Sequence, residues 1–265
     1  MQFGSIASGS SGNCLYAGND DVHVLIDTGI SKKRIETGLD ELGIDSKDIS
    51  AVLITHEHSD HIQGLGVWSR KHHVPIYATR GTLKEIQRCR SLGEIDESLF
   101  HVIRPEEDFY LGNLRVHPFT IPHDARDPVS FRLSDDRTTI GMATDLGTFD
   151  DHILKSLEGS HFLYIEANHD LRMLETGPYP YALKCRIAGS FGHLCNEMSG
   201  QMIGRLKNEK LDRVVLGHLS KENNFPDLAL AAVKDELARD FDITEKELQV
   251  SVAPRSAASD LFRID

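Results

Sequence analysis

One seven-residue run limits what this chain can fold into: Thr55-His56-Glu57-His58-Ser59-Asp60-His61. It follows an apolar run, Ala51-Val52-Leu53-Ile54, that reads as a buried β-strand. It leads into Ile62-Gln63-Gly64-Leu65, which reads as a helix start. Three histidines and a carboxylate therefore share one turn at the carboxyl end of a strand, where α/β folds place their chemistry. Crowded imidazoles repel one another when protonated. Divalent cations remove that conflict, because neutral imidazole and carboxylate are ordinary ligands for zinc and manganese. His56 and His58 can reach one ion, which leaves Asp60 and His61 to reach a second. A solvated histidine-rich turn without metal gains nothing from this composition.

Other apolar runs end in the same way. Val22-His23-Val24-Leu25-Ile26 stops at Asp27-Thr28-Gly29, so Asp27 is either a turn carboxylate or a partner for the backbone or a ring N–H of the histidine turn. His123 follows the strand expected at 114–120, Asp145 the one at 139–143, and His218 the one at 213–216. A lone histidine after a strand is more often a hydrogen-bonded structural residue than a ligand. Taken together, His56, His58, His61, His123 and His218 with Asp60 and Asp145 form an inventory suited to two cations with open positions and one shared carboxylate.

Strands are expected at 2–7, 14–17, 22–26, 51–54, 75–78, five times between 101 and 143, and at 162–165, 213–216 and 248–252. Helices are expected at 31–43, 66–72, 82–90 and 150–157, over most of 178–206, and at 227–240. The order predicts an α/β fold over 1–265, a single domain of two sheets flanked by helices. A hydrophobic fraction of 40% suits a buried core, and the net charge of −12 argues against a broad basic surface for nucleic acid. Bound dications would still supply positive charge locally. Cys14, Cys89, Cys185 and Cys195 form no CxxC pair and read as reduced thiols. No apolar run reaches membrane-spanning length, and no charged and apolar leader follows Met1. A cytoplasmic protein without a membrane partner is expected.

The order His-x-His-x-Asp-His, then His, Asp and His, resembles the metallo-β-lactamase fold superfamily. The resemblance implies an αββα sandwich of two mixed sheets. His56, His58 and His123 would be first-site ligands, Asp60, His61 and His218 second-site ligands, and Asp145 the bridging carboxylate. Further runs are similar to its YycJ (WalJ)-like branch: Ser8-Gly9-Ser10-Ser11-Gly12-Asn13, Glu166-Ala167-Asn168-His169-Asp170, Tyr181-Ala182-Leu183-Lys184, Gly192-His193-Leu194, and Gly217-His218-Leu219-Ser220 with Asn223-Asn224. Ala167 and Cys195 stand where that branch more often has serine.

The branch implies a nuclease or phosphodiesterase, with 5′-to-3′ exonuclease action on DNA favoured. A hydroxide held between two divalent ions, zinc or manganese with iron also accepted, would attack phosphorus in line. Asp145 would orient it, beside Asp60. His193 would supply or position the leaving-group proton, its alternative being a structural helix-cap histidine. His169 and Asp170 are expected to support the ligands as Asp27 does, and Asn223 or Asn224 to hold substrate. A small-molecule phosphodiesterase, a thioester hydrolase of the glyoxalase II type and a non-enzymatic metal-binding regulator use the same residues. The spacing alone does not separate DNA from RNA, and no motif fixes the oligomeric state.

Overall fold

The computed structural model describes residues 1–264; Asp265, the last residue of the expected single domain, lies outside them. The described residues form two compact units. The first comprises 1–120, 125–138 and 254–264, and the second 121–124 and 139–253.

In the first unit the chain runs β1 (Gln2–Ala7), β2 (Cys14–Gly18), β3 (His23–Ile26), α1 (Lys32–Glu41), β4 (Ile49–Leu53), α2 (Ser59–Ile62), α3 (Leu65–His72), β5 (Ile76–Thr79), α4 (Arg80–Arg88) and β6 (Phe100–Ile103). An antiparallel meander follows, β7 (Phe109–Leu111), β8 (Leu114–Thr120) and β9 (Val129–Ser134). The second unit carries β10 (Thr139–Ala143), α5 (Asp151–Leu157), β11 (Phe162–Glu166), α6 (Leu171–Thr176), α7 (Tyr181–Ile187), α8 (Asn196–Leu206), β12 (Arg213–Gly217), α9 (Pro226–Phe241) and β13 (Gln249–Val252). The chain then returns to the first unit with β14 (Phe262–Arg263). The architecture is two mixed sheets flanked by helices, as the sequence led us to expect.

One sheet lies wholly in the first unit, in the order β14-β1-β2-β3-β4-β5-β6. Its strands β3, β4, β5 and β6 are mutually parallel. Parallel neighbours share a carboxyl edge, so the segment after β3, which begins at Asp27, lies beside the histidine turn after β4. The core under this sheet is apolar and closed, with Tyr16, Leu25, Ile35, Leu39 and Trp68 all buried. In the second unit β10, β11, β12 and β13 are all parallel. Their common carboxyl edge gathers Asp145, Glu166 and His218 from segments far apart in sequence. Both faces of β10, β11 and β12 are buried, which is why they read as continuous apolar runs.

Helix α2, Ser59–Ile62, takes up residues read from the sequence as part of the histidine turn, and two further elements differ from expectation. Helix α6 begins at Leu171, seven residues before the helical region expected at 178, with the Asp170 side chain accepting from Met173 N at its start. Strand β14 pairs antiparallel with β1 through two residues, too few to show a period. Among the described residues no helix is long and apolar enough to cross a membrane.

Candidate functional site

In the first unit the ligand-type residues rest on one buried carboxylate. Asp27 accepts from Thr55 N at 2.9 Å, Thr55 Oγ1 at 2.8 Å and His61 Nδ1 at 2.8 Å. The Thr55 hydroxyl, having given its proton to Asp27, accepts from His56 Nδ1 at 3.0 Å. One carboxylate thereby fixes both rings in the tautomer that carries hydrogen on Nδ1 and a lone pair on Nε2. The Asn13 amide lies 3.0 Å from His61 Nε2 and 3.4 Å from Asp60 Oδ2, which brings those two donor atoms to one place. The rings of His58 and His61 pack 4.6 Å and 4.1 Å from that of His56. His56 and His61 are buried, whereas His58 and Asp60 are half-buried.

The backbone here admits little variation. Asp27 has φ 61°, a left-handed conformation that costs on the order of 1–3 kcal/mol in a non-glycine residue. Gly29 is pressed against the ligand loop so closely that a Cβ would stand 1.6 Å from the Asp60 carbonyl oxygen. Backbone bonds from Thr28 N to His61 O and from Asn13 N to Asp60 O lock the same approach. The sequence marks Asp27-Thr28-Gly29 as a turn; the contact that requires glycine appears only in three dimensions.

The second unit holds another cluster. Asp145 Oδ1 lies 3.4 Å from His218 Nε2, 3.7 Å from His193 Nδ1 and 3.8 Å from His123 Nε2. These separations sit at the long edge of hydrogen bonding or beyond it. Those to His218 and His123 resemble the ligand–ligand edge of a tetrahedral cation site, about 3.4 Å for metal–ligand bonds of about 2.1 Å, whereas His193 Nδ1 is engaged elsewhere. Among the described residues, Asp145, His193 and His218 can offer ligand atoms within 4.8 Å of one another. His123 Nδ1 donates to Gly192 O at 3.3 Å, so its Nε2 also carries the lone pair. Asp145 and His218 have φ 62° and 54°, the same left-handed strain as Asp27. Left-handed aspartate and histidine at three strand ends mark positions where backbone comfort yields to side-chain placement. The donor sets of both clusters, neutral imidazole and carboxylate, suit a divalent metal.

Glu166 is the residue that sequence reasoning left without a role. It is fully buried at the end of β11, and its Oε1 accepts from Leu146 N at 2.6 Å and Leu194 N at 3.0 Å. Its Oε2 accepts from His193 Nδ1 at 3.1 Å. It thus ties the loop after Asp145 to the loop carrying His193 and orients that ring. A carboxylate closing an apolar strand, Phe162–Glu166, was the available signal. His193 does not cap a helix: Cys195 is the N-cap of α8, without a side-chain cap bond.

Four other expected site residues serve the loops. Asp170 caps α6 through Met173 N, so its carboxylate is engaged in the helix start and not with a ring N–H. His169 is buried, bridges to Cys195 through its backbone, and burial pushes its imidazole down to about 4, which keeps it neutral. Asn223 and Asn224 are buried, against the expectation that they touch substrate. Asn224 Nδ2 donates to Ala167 O and Asn196 Oδ1, both at 2.8 Å, and Asn223 O accepts from Asp170 N at 2.9 Å. Both donors of the Asn224 amide are spent on those crosslinks and leave none for a bound molecule, whereas the Asn223 amide, fully buried, donates to Ser220 Oγ at 3.4 Å.

Residues 23–219 match the beta-lactamase superfamily domain. The chain belongs to this family. Among members of the superfamily, it is 36% identical over 239 residues to the exodeoxyribonuclease WalJ of Streptococcus pneumoniae, covering 90% of this chain and 89% of that one. It is 33% identical over 237 residues to the exodeoxyribonuclease YycJ of Bacillus anthracis, covering 89% of each. The metallo-β-lactamase fold protein YhfI from Bacillus subtilis superposes with a TM-score of 0.70 at 15% identity, over 97% of this chain and 98% of that one. At that identity the likeness speaks for the fold, and the superfamily resemblance read from the histidine turn extends over nearly the whole chain.

Proposed function

We propose that the two units act as one metallohydrolase domain that cleaves phosphodiester bonds in DNA. In this reading His56, His58 and His123 hold one divalent cation, Asp60, His61 and His218 hold a second, and Asp145 is shared. One observation carries it. His56, His61 and His123 are each held through Nδ1, by Thr55, Asp27 and Gly192, so that each directs a lone pair through Nε2. Structural histidines need no such uniform tautomer; metal ligands do.

When bound, a pair of divalent cations lowers the pKa of water and offsets the charge of a phosphodiester. Zinc, manganese and iron all accept imidazole–carboxylate sets. The chain supplies the rest. Asp145 accepts a hydrogen bond from the attacking water and aims it. His193 is 22% exposed at its side chain and has its Nδ1 hydrogen held by Glu166, so Nε2 carries a lone pair that can take up a proton from water, and the resulting imidazolium, paired with Glu166, can pass that proton to the departing oxygen. That carboxylate–imidazole pair fixes the ring's tautomer and raises its basicity.

DNA as the polymer is supported by the names of both relatives, each an exodeoxyribonuclease. The 5′-to-3′ direction rests on the YycJ-like resemblance. Four free cysteines favour a reducing compartment, and we place the protein in the cytoplasm.

Asp145→Ala tests the reading. The variant is expected to stay folded by circular dichroism, to lose bound metal by elemental analysis and to lose hydrolysis of end-labelled DNA. Retained activity would sink the shared-carboxylate assignment. A wild-type protein that cleaves a thioester but no phosphodiester would replace the nuclease with a glyoxalase-type hydrolase.

A further inference from the structure

Within the second unit, an aromatic ring stands exposed beside the proposed proton donor. Phe191 is 58% exposed, two residues before His193. Its backbone is not free to swing the ring away. Phe191 O accepts from Asp124 N at 3.2 Å, Gly192 N donates to Gly189 O at 2.8 Å, and His193 N donates to Ile187 O at 2.9 Å. The next carbonyl, Gly192 O, is the one that holds His123 Nδ1. On the other side, Gly147 lies so near that a Cβ there would stand 2.2 Å from the Ser190 carbonyl carbon. The turn 189–193 is thus clamped between the loops that carry His123 and Asp145, and it presents a rigid apolar face at their side.

The charge balance gives that face a use. A chain of net charge −12 gains little from long-range attraction to a polyanion. Stacking on an aromatic ring works without net charge and tolerates any base. A ring carried on a backbone already held in place loses less entropy on binding than one on a mobile loop. We propose that Phe191 is a stacking platform for an unpaired terminal base of single-stranded DNA, seating the neighbouring phosphodiester at the hydrolytic centre. This rests on the phosphodiesterase reading above and adds to it a preference for frayed or single-stranded ends, because a base paired within a duplex has no free face to offer.

The test uses the metal-loaded protein and three single-stranded oligonucleotides: one intact, and two with an abasic tetrahydrofuran residue at the first or the last nucleotide. Phe191→Ala is expected to raise KM for the intact strand about 5- to 150-fold, the range for losing one stacked base, with little change in kcat. On the strand abasic at the engaged end, wild type and variant should be alike. Phe191→Trp should restore the intact-strand KM, and Tyr110→Ala, which removes an exposed aromatic on β7, should leave it unchanged. Wild-type binding should also weaken only shallowly with added salt. An unchanged KM in Phe191→Ala, or an equal loss on intact and abasic strands, overturns the platform while leaving the nuclease intact. A shift from dimer to monomer in sedimentation with unchanged DNA kinetics would assign Phe191 to a protein interface and also overturn it. A wild-type protein that cleaves none of the three strands but digests a duplex overturns the platform alone, and one that cleaves neither single-stranded nor duplex DNA removes the phosphodiesterase reading itself, and the platform with it.

Discussion

Asp27→Asn exchanges one carboxylate oxygen for an NH2 group and leaves the side-chain shape unchanged. The carboxylate is 4% exposed and accepts three hydrogen bonds of 2.8–2.9 Å, from Thr55 N, Thr55 Oγ1 and His61 Nδ1. Asparagine tolerates the left-handed φ of 61° at this position. Its oxygen can keep the Thr55 amide, but its NH2 then faces His61 Nδ1. Two donors cannot share that contact, so the ring must move its hydrogen to Nε2 and lose the lone pair directed away from Asp27. His56 keeps its tautomer, because the Thr55 hydroxyl can accept from the new NH2 and from His56 Nδ1 together. Loss of such a supporting partner weakens metal binding about 10- to 100-fold. Exchanging charge-assisted for neutral hydrogen bonds costs about 1–2 kcal/mol of stability, a fall of a few degrees in Tm for a chain of this size. Chelator competition with zinc or manganese should therefore show one ion weakened by that factor and the other within a few-fold of wild type. Asp27→Ala should be worse on both counts, losing about 3–5 kcal/mol because buried donors are left unanswered. Wild-type affinity for both ions in Asp27→Asn would refute the claim that this carboxylate sets the tautomer of His61.

Three further outcomes follow from the geometry. Glu166→Gln keeps an acceptor for Leu146 N and Leu194 N but weakens the hold on His193. Its kcat should fall about 10²- to 10⁴-fold with metal content nearly unchanged, and loss of metal instead would move His193 into the ligand shell. His169 titrates at about 4 in the folded protein against 6.5 when unfolded. The unfolded chain therefore binds more protons between those values, and stability is expected to fall as pH drops from about 6.5 to about 4. The loss is on the order of 3 kcal/mol from this one group. Denaturant melts of wild type and His169→Gln should converge in acid if this is right, and parallel pH profiles would refute it. Asn224→Ala should lower Tm by leaving Ala167 O and Phe225 N without their buried partner, while KM for DNA stays within a few-fold. A large rise in KM without loss of stability would return Asn224 to the substrate.

The ligand turn was legible because its members are contiguous. Four candidate donors from His56 to His61, placed directly after an apolar run, specify both strand and site in one reading. The alternation of apolar runs with turns likewise gave the sheets and their flanking helices. Polarity alone misdirected the reading at Asn223 and Asn224, since a buried crosslinking amide and an exposed substrate-binding one have the same sequence. Asp170 was assigned to the site because it neighbours site residues in the chain, whereas its carboxylate turns to the start of α6.

The sequence by itself determined which side chains are available and that they stand at strand ends, because local periodicity and residue type suffice for both. Only the tertiary structure decided which atom of each ring is left to bind. For His56 and His61 that choice belongs to Asp27, 28 residues from Thr55, for His123 to the Gly192 carbonyl, and for His193 to Glu166, 27 residues away. Parallel strands bring such distant segments to a common edge, and a buried carboxylate then dictates where its neighbour's hydrogen must sit.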